Sequence, residues 1–185
     1  MAVEVTRPGV ITRVCKVVAR RLLGNGALPD PVPDGVVISG VSDVPISYTI
    51  LQGEQSVDRA DGVGVINVHE EDDTLIGVDL DVVTVKTDFL INALIFGGTV
   101  ENRLWLPPII TEQRDKPIRF SLDVYSRASK GRYLVNRYHY CKGAPRNVSR
   151  ESNLVAISGF VIKARPHPIT QRVYHMELVD ELPNH

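Results

Sequence analysis

The sequence contains few cysteines. Cys15 and Cys141 are the only two among 185 residues, too few for a disulfide framework or for the four ligands of a structural zinc site. A single disulfide between them is the alternative to two free thiols. Free thiols are typical of a reducing compartment, so we expect an intracellular, cytoplasmic protein.

Long apolar runs and catalytic motifs are also absent. No run approaches the roughly 18 apolar residues of a membrane-spanning helix, so we expect no membrane partner. The sequence has no glycine-rich dinucleotide loop, no P-loop and no nucleophile elbow. His139 and Cys141 lie on one predicted strand without another cysteine nearby, which disfavours a metal site or a nucleophile. We therefore expect no enzymatic activity, no metal and no cofactor.

The charges are divided unequally along the chain. The net charge is only −1, but residues 30–88 hold 13 acidic and two basic side chains, a balance of −11. Residues 114–172 hold 13 basic and three acidic side chains, a balance of +10. Such a split indicates a polyanionic partner for the basic half. The alternative is that the two halves neutralise each other across an internal interface.

The first residues favour a helix. Val10, Val14, Val17 with Val18, and Leu22 recur at three-to-four-residue spacing, which would give one apolar stripe. Residues 1–29 are therefore predicted to form an amphipathic N-terminal helix. If residues 1–25 were instead a transit peptide, which their basic amphipathic character also fits, the compartment would be an organelle.

Short β-like runs follow the helix. In the acidic region 30–89 they are VVISGV (36–41), ISYTILQ (46–52), VGVINVH (63–69), TLIGVDL (74–80) and VVTVK (82–86). In the second half they are LINALIFGGTV (90–100), PIRFSLDVYS (117–126), residues 132–141, NLVAISGFVIKA (153–164) and RVYHMELVDEL (172–182). Most alternate or are rich in β-branched residues. The chain is thus predicted to be mainly all-β, with the last five strands forming a closed or nearly closed antiparallel barrel and residues 183–185 a tail.

The order of these five strands carries a resemblance. The segments are NALIFGGTVENR, RDKPIRFSLDV, NRYHYCKGAPRNV, NLVAISGFVIKAR and TQRVYHMELVDEL. In this succession residues 90–182 resemble the oligonucleotide-binding barrel of the single-stranded DNA-binding proteins and their primosomal relatives. The resemblance implies a five-stranded barrel, a single-stranded nucleic acid as partner, and stacking rings on the third strand. It does not extend to residues 1–89.

The third strand of this barrel mixes rings with positive charges. In regular alternation Arg132, Tyr138 and Tyr140 would share one face. Cations neutralise phosphates and flat rings stack on bases, so this pattern predicts a nucleic-acid-binding surface. The predicted binding residues are Tyr125, Arg127, Lys130, Arg132, Arg137, Tyr138, Tyr140, Lys142, Arg146, Lys163 and Arg165.

The sequence therefore leads to two functional hypotheses. The first is single-stranded nucleic-acid binding without strong sequence specificity, in replication, repair or organellar RNA metabolism. The acidic half would then contact a protein partner or a second copy. The second hypothesis is a structural β-protein in a large assembly, such as a ribosome-like particle or virion, with a degenerate barrel used for protein contacts. Exposed strand edges commonly serve such contacts.

Overall fold

The structure is a computed structural model that describes residues 4–31, 35–41, 43–52, 55–60, 64–70, 72–84, 88–109, 118–145 and 158–183. Within these residues the protein is mostly β, with a single α-helix. The strands are β1 (Glu4–Ile11), β2 (Val14–Arg21), β3 (Val36–Ile38), β4 (Val44–Leu51), β5 (Gln55–Ala60), β6 (Gly64–Glu70), β7 (Thr74–Thr84), β8 (Thr99–Glu101), β9 (Leu104–Leu106), β10 (Phe120–Arg127), β11 (Tyr133–Pro145), β12 (Ser158–Ala164) and β13 (Tyr174–Val179). The helix is α1 (Phe89–Phe96).

Nine of these strands form one antiparallel sheet. Its order is β1-β4-β7-β12-β11-β10-β2-β3. The ninth strand, β13, pairs with the first part of β11, and β12 pairs with the last part of the same strand. Two hairpins, β5–β6 and β8–β9, stand apart from this sheet. Both halves of the sequence therefore build the same sheet, because β12 pairs with β7 and β10 pairs with β2.

The sheet curls strongly, as its connections require. β1 begins the strand order and β2 is seventh, yet only Thr12 and Arg13 separate them in the chain. The backbone of Arg13 bonds to both sides, donating to the Asp43 carboxylate at 3.3 Å and accepting from the Arg127 amide at 3.1 Å. Within the described residues no ladder joins β1 to β2 or β3, so the sheet is not a closed barrel. The predicted five-stranded barrel of residues 90–182 is not confirmed.

Two segments were predicted with the wrong type of secondary structure. The residues predicted as an N-terminal helix form β1 and β2, and Val17, Val18 and Ala19 are all buried. β2 lies inside the sheet with both faces covered, so consecutive apolar residues are needed there. The predicted strand at 90–100 is instead mainly α1, whose first turn is capped by the Asp88 side chain bonding to the Leu90 amide at 2.8 Å.

The helix closes the concave side of the sheet. Ile91 and Ile95 are buried, and the ring of Phe96 lies 5.5 Å from that of Phe160 in β12. Gly143 in β11 lies directly beneath Ile95, where a Cβ atom would overlap the isoleucine side chain. Glycine at this position therefore allows the helix to approach the sheet.

Gly143→Ala tests this packing. Overfilling a close-packed site costs about 1–3 kcal/mol, and we expect a loss of that size in the free energy of unfolding measured with urea. Gly24→Ala is the control, because a Cβ atom there would meet nothing within 4 Å, and it should change stability by less than about 0.5 kcal/mol. Equal stability of the two variants would show that α1 does not sit on β11 as described.

Candidate functional site

Two of the three predicted stacking rings are buried. Tyr138 is 1% exposed and packs in the core, with its ring centroid 5.5 Å from that of Tyr174. Its burial raises the pKa of the Tyr138 hydroxyl. Tyr125 is 4% exposed and packs with Val18 and Val135 on the opposite face of the sheet. Neither ring can stack on a base, so both assignments are corrected.

A β-bulge explains why the predicted faces were wrong. Phe120 pairs with Cys141 and Leu122 with Tyr138, so three residue steps on β11 oppose two on β10. The extra residue reverses the alternation, so Tyr138 and Cys141 both face the core. Tyr140 is left outside the core and partly exposed. The guanidinium carbon of Arg119 lies 5.0 Å from the centre of its ring, a cation–π distance.

The predicted cations fall into four groups. Arg137 and Arg165 form ion pairs within the chain. Arg132 is partly exposed. Arg146 lies outside the described residues. The four that are exposed are Arg127, Lys130, Lys142 and Lys163.

The acidic and basic halves meet inside the sheet. Lys163 of β12 lies opposite Asp79 of β7 in the strand register, and Arg165 forms an ion pair with the same carboxylate at 2.8 Å. Part of the charge asymmetry is therefore neutralised between neighbouring strands, as the alternative interpretation expected.

A buried carboxylate organises the convex face of the sheet. Asp123 has a side chain only 3% exposed, and Arg20 of β2 donates to its Oδ2 at 2.7 Å. Arg137 of β11 places Nε 3.4 Å from Oδ1 and extends its other nitrogen to Glu177 of β13 at 2.8 Å. Tyr125 donates to the same carboxylate at 3.4 Å, and desolvation followed by this negative charge raises the pKa of its hydroxyl. The network joins four strands.

A pair of histidines extends this network. Nε2 of His139 lies 2.7 Å from Nδ1 of His175, whose own Nε2 lies 3.8 Å from Glu177. One ring nitrogen of this contact donates and the other accepts, and the tautomers of the two rings decide which. Desolvation by burial lowers the pKa of the His139 imidazole, and the electrostatic effects of His175, His167 and Arg137 lower it further, against the opposing effect of Asp123. Sequence reasoning missed the pair because its members are 36 residues apart.

An apolar surface lies on the other side of the molecule. The pocket between α1 and the β8–β9 hairpin has a volume of about 370 Å³. We call this the α1 pocket; it is lined by Val37, Ser39, Asp88, Phe89, Leu90, Ile91, Val100 and Arg103. Leu90 is 58% exposed, and Leu104 and Leu106 of β9 and Ile109 beyond it are exposed as well. An exposed apolar patch of this kind marks an interaction surface more often than solvated surface.

A second apolar strip runs along β13. Met176 and Leu178 are more than half exposed, and within the described residues β13 pairs with β11 alone. Asp180 and Glu181 follow directly and are exposed. We call these four residues the β13 edge. A sheet edge with free backbone groups is a common site of association.

The comparisons with known proteins add no relative. No protein-family model matches the chain, and no curated protein matches it either. The resemblance to single-stranded DNA-binding proteins therefore stays a prediction. Among the described residues the structure contains no helix with the length and apolarity that crossing a membrane requires. The same part of the chain holds no group of three His, Cys, Asp or Glu side chains arranged for a metal ion.

Asp123→Asn tests the buried carboxylate. Without its charge, the guanidinium groups of Arg20 and Arg137 lose their shared partner, and breaking a buried pair costs about 3–5 kcal/mol. We expect Asp123→Asn to lower the free energy of unfolding, measured with urea, by about 3 kcal/mol. This is the lower end of the range, because Arg137 is partly exposed. Asp73→Asn, in the exposed pair with Arg7, is the matched control and should cost less than about 1 kcal/mol. Similar losses in both variants would contradict the network's role.

The histidine pair predicts a loss of stability in acid. Because the folded protein lowers the pKa of His139 below 6.5, the unfolded chain binds the proton more readily in this range. The contribution of His139 is complete above about pH 6.5 and decreases as the pH falls towards the lowered pKa. Unfolding free energies of the protein and of His139→Gln, measured between about pH 7.5 and about pH 5.5, should show the weaker pH dependence in the variant. Identical pH dependence would contradict the assignment.

Proposed function

We propose that this chain is a structural subunit whose β-sheet serves protein–protein contacts in a larger assembly built from copies of itself. The observation that carries the proposal is the exposed apolar surface of the α1 pocket and β9. Phe89, Leu90, Leu104, Leu106 and Ile109 are all exposed, with Ile109 at 67%. Burying such side chains yields about 25 cal/mol per Å², which favours association.

The polar face of the sheet supports the same proposal. A surface for single strands needs free cations and accessible rings. Here Asp123 and Glu177 occupy Arg137, while Asp79 occupies Arg165. Two of the three predicted rings are in the interior. The convex face therefore serves cohesion of the fold more than recognition of phosphates.

Single-stranded nucleic-acid binding is the second candidate, and one observation favours it. Lys142 and Lys163 lie opposite each other on β11 and β12, both are exposed, and neither forms an ion pair within the described residues. Tyr140 lies two residues from Lys142 and is the one predicted ring that is partly exposed. In this candidate the strands of residues 90–182 would act as a variant of the oligonucleotide-binding barrel, opened by their pairing with β2 and β7.

The mass of the purified chain before and after nuclease treatment separates the two candidates. The structural proposal predicts an assembly with a multiple of the 20.5 kDa chain mass that nuclease leaves unchanged. A monomer at all concentrations, with or without nuclease, would contradict it.

The second candidate makes its own prediction for the same protein. It requires a complex with oligo-dT whose affinity falls as the salt concentration rises. The slope of log affinity against log salt concentration should become shallower by about one for each phosphate contact removed. Lys142→Glu and Lys163→Glu should then each weaken binding, whereas Asp72→Lys, at an exposed position just before β7, should not. The absence of any salt-dependent complex would contradict this candidate.

A further inference from the structure

We infer that the assembly forms through a head-to-tail contact in which the β13 edge of one copy docks into the α1 pocket of another. The inference rests on the proposed function and names both the partner and the two surfaces. It depends on three properties of these surfaces: their apolar character, their charges and their separation.

The apolar parts of the two surfaces are complementary in form. The α1 pocket is concave, with a volume of about 370 Å³, near the lower end of the roughly 300–1,000 Å³ of pockets that hold ligands. The β13 edge presents Met176 and Leu178, both of which are exposed. The side chains of Met176 and Leu178 together suit a cavity of this size. Methionine also adapts readily to irregular pockets.

The charges around the apolar parts are also complementary. Arg103 at the rim of the pocket is exposed, and within the described residues it forms no ion pair. Asp88 is the acidic residue in the pocket lining, and its carboxylate already accepts a hydrogen bond from the Leu90 amide. On the β13 edge, Asp180 and Glu181 are exposed and have no cationic partner in the described part of the chain. A rim of opposite charges around an apolar centre is the usual composition of a protein interface.

The helix that borders the α1 pocket and the β13 edge lie against different parts of β11. Ile95 of α1 lies over Gly143, whereas Met176 pairs with Asn136 on the same strand. Seven residues of β11 separate these two points, roughly 23 Å at about 3.3 Å per residue. In the contact inferred here, the partner of each surface is another copy of the chain. A contact between two different surfaces is heterologous, and its repetition yields a ring or a filament.

Two complementary variants test the contact. Leu90→Glu blocks the α1 pocket and leaves the β13 edge intact, and Leu178→Glu does the reverse. Both side chains are more than half exposed, at 58% and 53%, so the fold should survive, which circular dichroism and thermal unfolding check. Each variant alone should be a monomer of 20.5 kDa by light scattering. An equimolar mixture should form one complex of 2 × 20.5 = 41 kDa, because only one productive contact remains.

The control is Leu23→Glu, an exposed leucine outside both surfaces, which should assemble like the unaltered protein. If the unaltered chain assembles and both variants assemble equally well, or if their mixture stays at 20.5 kDa, this contact is refuted while the structural function stands. If the unaltered chain is itself monomeric at every concentration, the proposed function fails. The two failures are therefore distinguishable.

Discussion

The convex face of the sheet depends on one buried negative charge. The Asp123 carboxylate lies between Arg20 and Arg137, and Arg137 continues to Glu177, so strands β2, β10, β11 and β13 are joined by charge as well as by backbone hydrogen bonds. A carboxylate removed from water is tolerated when it has such partners. The same pairing limits what the surface can do, because a guanidinium held by two carboxylates offers little net charge to a phosphate.

The apolar side of the molecule is less complete. The core under α1 is closed by Ile91, Ile95 and Phe160, but the first turn of the helix and the β8–β9 hairpin leave large apolar side chains in solvent. The β13 edge is similarly unfinished, with no strand beyond it in the described part of the chain. In the proposed assembly, neighbouring copies would cover both features.

The sequence predicted the β class and most strands, including β4, β6, β10 and β13, because alternation and β-branched residues persist in them. It failed where local pattern is ambiguous. Val10, Val14, Val18 and Leu22 fit a helix, but β2 is buried on both faces, which only its position in the sheet determines. The bulge beside Tyr138 and the ion pairs of Asp123 depend on strand register, so no spacing along the chain could have indicated them. The basic strand β12 pairs with the acidic strand β7, and Arg165 after β12 forms an ion pair with Asp79. Part of the predicted nucleic-acid-binding surface is therefore engaged in a contact within the chain.

Hydrogen exchange at two protein concentrations, one where the chain is assembled and one where it is dilute, tests the central claim most directly. If neighbouring copies complete the apolar surface, backbone amides of α1, β8, β9 and β13 exchange more slowly in the assembled sample, while those of β10 and β2 are unchanged. Equal exchange of α1, β8, β9 and β13 in the two samples, with protection appearing around Lys142 and Lys163 only when a single-stranded oligonucleotide is added, would contradict the account.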